Sequence, residues 1–306
     1  MLPMSGIPRD AAVRVLSDAE VHAFPIPAAL EAMREALGAH ARGRLNAPAR
    51  LHAADLTFTV GALSAEAGEG VLGFRAYHTL DTPHDDQLVA VWDTSTGRLT
   101  GVVVGSALGP LRTACLGAIA ADRLARPEAQ TLGVIGSGVQ ARAHAVAVAQ
   151  VRPLSRVRVY SRSAEHRKAL AQELRGRGLP AEATDSAEEV ARESDLLTLA
   201  TNSPVPVIES GWVRPGTHVT TLGPKERGRH EFPTDLAARA ALIVTDSPAQ
   251  LNAYPGGHLL AGTPVTALSA LPDTRRVGRT PEDVTLFLSV GLAGTEVVLA
   301  RALLQP

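Results

Sequence analysis

The sequence predicts an α/β protein in two parts, a β-rich first third followed by a parallel sheet with helices on both faces. Three observations carry this. β-Branched, alternating runs crowd residues 45–104. From about 130 to 285 short apolar runs alternate with helical stretches, the pattern of a doubly wound sheet. One of those strand-to-helix junctions holds the glycine turn Gly136-Ser137-Gly138-Val139-Gln140-Ala141.

The elements follow in order. Ser17 and Asp18 suit a helix start, with Glu20 in its first turn. Val21, Phe24, Ala28, Leu30, Met33, Ala36 and Leu37 then recur at helical spacing to about residue 42, with Pro25 and Pro27 splitting the helix in two. Strands are expected at 56–63, 71–78, 88–92 and 99–104, the last two flanking the turn signal Asp93-Thr-Ser-Thr-Gly97. An Ala-rich helix is expected from Arg112 to Arg126, stopped by Pro127. Further strands are expected at 131–135, 156–161, 195–201, 217–222 and 241–245, with a weak one at 179–184, and Ser163, Ser186 and Ser247 capping the helices between them. A last helix covers 292–304.

Composition bounds the function. The chain has 306 residues, 45% hydrophobic and 20% charged, enough for two cores, and a net charge of −1 gives no footprint for nucleic acid. It has no apolar run long enough to span a bilayer and no secretory h-region in MLPMSGIPRD, so a cytoplasmic protein is expected. Cys115 is the only cysteine, which excludes an internal disulfide or thiolate zinc cluster; it is expected in the core, and no metal site is expected. Of the 30 basic residues only Lys168 and Lys225 are lysines.

The glycine turn is the strongest chemical signal. A strand, G-x-G-x-x-A and a helix form the junction that binds a dinucleotide pyrophosphate, in what is called a Rossmann unit. Gly136 permits the sharp turn, Gly138 lets backbone approach a phosphate, and Ala141 lets the helix pack close. Ser137, Val139 and Gln140 complete the cradle. The next strand ends in Ser161-Arg162-Ser163 without the acidic residue that usually binds the ribose of NAD. Hydroxyls and a guanidinium suit a 2′-phosphate, so NADP(H) is expected over NAD(H), the alternative being that Arg162 is a solvated loop residue.

With Leu111-Arg-Thr-Ala114, Gly136-Ser-Gly-Val-Gln-Ala141, Ala200-Thr201-Asn202-Ser203 and Thr285-Leu-Phe-Leu-Ser-Val-Gly291 in that order, the chain resembles the ornithine cyclodeaminase/μ-crystallin family over roughly 15–304. The resemblance implies a Rossmann unit at 126–289 and an N-terminal α/β substrate-binding and dimerisation unit at 1–125, completed by the C-terminal helix at 290–306. It implies a homodimer and hydride transfer at a carbon bearing nitrogen. Arg50 and Arg112 match the arginines that hold the substrate carboxylate, and Ala200, Thr201 and Asn202 fall in the cofactor-binding part.

Two matches fail. Where the family has a lysine this chain has Arg75, and where it has an aspartate this chain has Lys225 in Gly223-Pro-Lys225. Arginine holds its proton and cannot act as the acid. Lys225, at the carboxyl end of a parallel strand, is a candidate replacement as the acid, the alternative being that it is a solvated loop lysine. Arg50, Arg75, Arg112 and Lys225 would place four cations on one cleft, which suggests a substrate more anionic than ornithine, such as an imino or keto acid, a dicarboxylate among them. His78, His84 and His218 are weaker candidates for proton donors. Glu296 is expected to keep a polar contact and Glu231 to lie near the turn. The leading expectation is an NADP(H)-dependent reductase of a small imino acid, or the reverse amino-acid dehydrogenase. The alternatives are a cyclodeaminase with an altered site and a non-catalytic NADPH-binding protein.

Overall fold

The computed structural model describes residues 12–64, 70–82, 86–272 and 280–305. The first part comprises β1 (Arg14–Leu16), α1 (Asp18–Ala23), α2 (Ile26–Ala41), β2 (Leu45–Asn46), β3 (Leu51–Ala53), β4 (Leu56–Leu63), β5 (Val71–His78), β6 (Leu88–Asp93), β7 (Leu99–Val104) and α3 (Leu108–Leu124). The second part comprises β8 (Thr131–Ile135), α4 (Val139–Ala149), β9 (Arg156–Tyr160), α5 (Ala164–Gly176), β10 (Ala181–Ala183), α6 (Ala187–Arg192), β11 (Leu196–Leu199), β12 (His218–Thr221), β13 (Lys225–Glu226), β14 (Arg229–His230), α7 (Thr234–Arg239), β15 (Ala240–Thr245), α8 (Pro248–Asn252), β16 (Thr266–Ala267) and β17 (Val284–Leu288). The chain then returns to the first part as α9 (Thr295–Leu304).

The first sheet has the order β1-β7-β6-β5-β4-β2, with β3 on β4. The four long strands pair antiparallel, as the alternation requires, and β1 adds an unforeseen parallel edge strand on β7. Strand parity gives this sheet two unlike faces. Thr57, Thr59, Leu63, Val71, Arg75, Val89, Val91 and Val103 face inward and are buried. The other face carries Val15, Phe58, Val60, Leu72, Phe74, Trp92 and Val104, of which Val15, Leu72 and Val104 are 67%, 43% and 42% exposed. The inner face is covered by α9, whose Val297, Val298, Leu299 and Leu303 are buried, each contributing roughly 1.5–3 kcal/mol.

The second sheet runs β10-β9-β8-β11-β12-β17-β15-β16, parallel at every pairing. Its order reverses between β8 and β11, so a crevice opens outside Ile135 and Leu199, where doubly wound sheets bind ligands. Ser163, Ser186 and Ser247 each cap a helix, accepting from His166, Glu189 and Gln250 backbone N–H groups. α1 begins with a full capping box between Ser17 and Glu20.

Three elements differ most from expectation. α3 begins at Leu108, a turn before Arg112, because Pro110 falls in the first turn, where a missing N–H leaves no bond unmade. β17 is legible in the sequence only as a motif; it is buried throughout and lies between β12 and β15. α9 starts three residues later than expected, after Gly294 in a left-handed conformation. Arg152 ties α3 to the second part: its guanidinium donates to the carbonyls of Ala121, Asp122, Arg126 and Pro127 at the C-terminal end of that helix.

Candidate active site

The glycine turn sits at the reversal point. Gly136 has φ +125°, and a Cβ on it would overlap the carbonyl oxygen of Ala200 on the neighbouring strand exit. No other residue type fits there. Gly138 is the N-cap of α4 and supplies no side-chain cap, unlike the serines of α5, α6 and α8. Nothing lies within 4 Å of the place its Cβ would take. The approach to the positive end of α4 is therefore open at Gly138, the place where backbone could meet a pyrophosphate. Ser137 lies beside them, Val139 is 56% exposed, and Ala141 is fully buried against the sheet. On the opposite side Ala200 accepts the approach of Gly136, Thr201 is partly buried and Asn202 is exposed. Ser161, Arg162 and Ser163 stand at the end of β9, with the Ser161 hydroxyl donating 3.0 Å to Ser163 O and Arg162 exposed.

A cavity of about 180 Å³ lies beside this turn, lined by Arg50, Arg112, Gln140, Leu222, Tyr254 and Gly291 among others. Gln140 belongs to the first turn of α4, so the cavity touches the dinucleotide cradle. A hollow of about 440 Å³ lies elsewhere, on the outer face of the first sheet, lined by Val60, Leu72, Phe74 and Trp92 and by no ionisable side chain among the described residues.

The two arginines meet at the smaller cavity. Arg112 donates from Nη2 to Glu296, 2.8 Å away, leaving Nε and Nη1 buried without a hydrogen-bond partner. Arg50 donates from Nη2 to Val290 O at 2.8 Å, and its Nε is likewise unpartnered. Unpaired buried donors are costly, so this arrangement calls for an acceptor anion. Gly291, at φ +92°, makes room: a Cβ there would overlap Arg50 Nη2 and come 3.1 Å from Arg112 Nη2. Its backbone is held by Asp246, which accepts from the N–H groups of Val290 and Gly291 at 2.9–3.0 Å.

Arg75 faces the same interior but is fully engaged. Its Nε donates to Gln87 at 3.0 Å, its Nη1 pairs with Glu296 at 3.2 Å, and its guanidinium lies 4.3 Å from the Tyr77 ring centre. Burial pushes its pKa down while Glu296 opposes that, and the group stays a fixed cation. Burial alone would raise the Glu296 pKa, but Arg112 and Arg75 hold it down at about 2.

Lys225 is fully enclosed, its ammonium donating 2.7 Å to Gly223 O. Burial lowers its pKa to about 8; Glu231 and Asp246 pull it up, and Arg50 pushes it further down. Glu231 is also enclosed and accepts from Thr201, Thr221, Leu222 and Gly223, joining the turns after β11 and β12. His258 sits nearby: burial, then Lys225, lowers its pKa to about 4.

The weaker candidates separate from the cavity. Both ring nitrogens of His218 are bonded, to Thr285 at 2.9 Å and Thr220 at 3.1 Å. His78 shares the outer parity of β5 with Phe74, opposite to Arg75. His84 lies outside the described residues. Burial pushes the Cys115 thiol up to about 12, as befits a core residue. Among the described residues no group of three metal-ligating side chains occurs, and no helix is long and apolar enough to cross a membrane. Sequence reasoning assigns no role to Asp246, Tyr254 or Gly291, or to Gln250, whose side-chain oxygen accepts 2.9 Å from the Arg50 backbone N–H. The one signal for Asp246 is its place at the carboxyl end of a parallel strand, where Thr-Asp-Ser-Pro reads as an ordinary helix start.

Known proteins share this fold. The model of the ornithine cyclodeaminase/mu-crystallin family matches residues 9–305. A Delta(1)-pyrroline-2-carboxylate reductase from Bacillus cereus is 31% identical over 228 residues, covering 71% of this chain and 70% of that protein. The iminosuccinate reductase of Paracoccus denitrificans, solved with NAD+, is similar at a TM-score of 0.82 and 26% identity, covering 95% of each chain. An archaeal alanine dehydrogenase dimer with bound NAD gives 0.80 and 26%, again over 95% of each chain.

Proposed function

The chain belongs to the ornithine cyclodeaminase/mu-crystallin family, and from that premise we propose that it is a nicotinamide-dependent oxidoreductase acting on the C–N bond of a small amino or imino acid. The observation that carries this is the shared cavity: two arginines with unpartnered donors face a space whose wall is the first turn of the dinucleotide helix. A dinucleotide held at Gly136, Ser137 and Gly138 would supply or accept the hydride at the substrate carbon. Arg50 and Arg112 grip the substrate carboxylate through their free N–H groups, which fixes the angle at which that carbon is presented. Arg75 does not move a proton; it neutralises Glu296 and thereby leaves one face of Arg112 for the ligand. Lys225 is assigned the proton transfer to the substrate nitrogen from its place in the turn after β12, beside Leu222 of the cavity wall; it is itself fully enclosed and does not line the cavity, and burial lowers its pKa to about 8.

We assign NADP(H) as the preferred form, through Ser161, Arg162 and Ser163. Residues 126–289 form the cofactor-binding unit, and residues 1–125 with 290–306 form the substrate-binding unit. The outer face of the first sheet, apolar from Val15 to Val104, is covered by a second copy of the chain.

The test is oxidation of NADPH, followed by absorbance, with pyrroline-2-carboxylate, piperideine-2-carboxylate, and pyruvate with ammonia or methylamine. Turnover on at least one imine is expected. Tight NADPH binding without oxidation across the panel would overturn the enzymatic reading in favour of a binding protein. Release of ammonia from ornithine with formation of proline would replace it with a cyclodeaminase.

A further inference from the structure

The end of β9 lacks the carboxylate that would bind a ribose, but the fold brings one there from another strand. β10 runs parallel to β9 with Ala183 opposite Val159, so the chain leaving β10 passes beside Ser161–Ser163. Asp185 stands on that exit with 89% of its side chain exposed, ion-paired to Nη2 of Arg167. Arg167, from the first turn of α5, is otherwise enclosed, with 11% of its side chain exposed. Its Nη1 donates 3.0 Å to Ser161 O, its guanidinium lies 6.0 Å from the Tyr160 ring centre, and its Nε is buried without a partner. The neighbouring Arg162 is exposed and makes no ion pair among the described residues. One guanidinium is thus tied to an acid while the other is open.

We propose that Arg167 and Asp185 form a latch that sets the choice between the two dinucleotides. A 2′-phosphate takes the place of Asp185 on Arg167, with Arg162 closing on its free side. A bare 2′-hydroxyl instead donates to Asp185 while the ion pair stays whole. Arg167 has two reasons to stay in place, its bond to Ser161 O and its packing beside Tyr160. Asp185 has none: among the described residues only Arg167 holds it. The acid therefore swings and the base does not. This rests on the reading that a dinucleotide lies along the glycine turn with its adenosine ribose at the end of β9.

Direct titration of the full chain with NADPH and with NADH, followed by calorimetry or by nicotinamide fluorescence, tests the latch without turnover. Asp185→Asn removes one negative charge next to the incoming phosphate. It should tighten NADPH by about tenfold and loosen NADH, as expected when a charge-assisted bond forms with one ligand only. Arg167→Gln should weaken NADPH by about tenfold or more and change NADH less than about threefold. Because Arg167 also supports the Ser161 turn, the exposed Asp185 carries the decision if the arginine variant fails to fold. If the NADPH-to-NADH ratio of dissociation constants moves less than about threefold in Asp185→Asn while both cofactors still bind, the latch is overturned alone. If the unsubstituted chain binds neither cofactor, the dinucleotide reading falls and the latch with it.

Discussion

Replacing Lys225 by methionine should make the protein more stable and much less active. Lys225 is held at a pKa of about 8 against 10.5 for a free lysine, first by burial and then by the balance of Glu231, Asp246 and Arg50. A lysine whose folded-state pKa lies below its unfolded value destabilises the fold wherever it is protonated in both states. Below about pH 8 that penalty is present in full. It shrinks as pH rises through the window between about 8 and 10.5, where the unfolded chain binds the extra proton. The gap corresponds to roughly 3 kcal/mol. Methionine keeps the length and apolar stem but leaves Gly223 O without its donor, which costs about 1–2 kcal/mol. The net expectation is a gain of about 1–2 kcal/mol at pH 7, or a melting temperature raised by a few degrees. Loss of the acid should lower turnover on a confirmed imine by about 10²–10⁴-fold. Thermal unfolding at pH 7 and pH 9.5 measures the first effect, and NADPH oxidation measures the second. For the unsubstituted chain kcat/KM should fall as pH rises through about 8. A variant with unchanged turnover refutes Lys225 as the acid, and a variant that melts lower at pH 7 refutes the burial penalty.

Glu296→Gln should do the opposite to stability, because it leaves Arg75 and Arg112 buried around a neutral amide; breaking such a pair costs about 3–5 kcal/mol. Since the Glu296 pKa is depressed to about 2, its contribution is whole above about pH 4.5 and is lost as pH falls toward 2, so the variant should show a flatter acid limb in pH-dependent unfolding. Gly136→Ala forces a side chain into φ +125° and into Ala200 O; isothermal titration should show dinucleotide affinity reduced by more than about a hundredfold, and undiminished binding would remove the turn from the cofactor site. Leu72→Lys places a charge at a position 43% exposed on the outer sheet face. Sedimentation should show a dimer become a monomer, whereas a monomer in both proteins would mean this face is not an interface between copies.

Elements with strong local rules are the legible ones. The capped helices at Ser17, Ser163, Ser186 and Ser247, the alternating strands of the first sheet and the glycine turn each announce themselves within a few residues. Elements defined by distant neighbours do not. β1 is three residues long and exists because β7 offers a free edge. β17 is buried at every position and shows no alternation, so periodicity cannot distinguish it from a buried helical segment. The same division runs through the site. Arg50 and Arg112 are legible through the ordered motifs, but nothing near Asp246 in sequence shows that it holds the loop at Gly291. Nor does anything near Asp185 place it beside Ser161.

Charge is where sequence and structure part most instructively. Four cations on one cleft argue for a strongly anionic substrate, up to one with two carboxylates. The fold sets three enclosed carboxylates among them. Glu296 sits between Arg75 and Arg112, while Glu231 and Asp246 flank Lys225 and are bound by backbone N–H groups. Four positive charges against three negative leave one. A single substrate carboxylate neutralises it, and the donors left without partners lie on Arg50 and Arg112, where that carboxylate would bind. A second carboxylate would find the remaining guanidinium, Arg75, already engaged by Gln87 and Glu296. The charge balance therefore favours a monocarboxylic imine over a dicarboxylic one. Comparing KM for pyrroline-2-carboxylate with that for the imine of oxaloacetate measures the difference, and a lower KM for the dicarboxylate would show that Arg75 gives up Glu296 to the ligand.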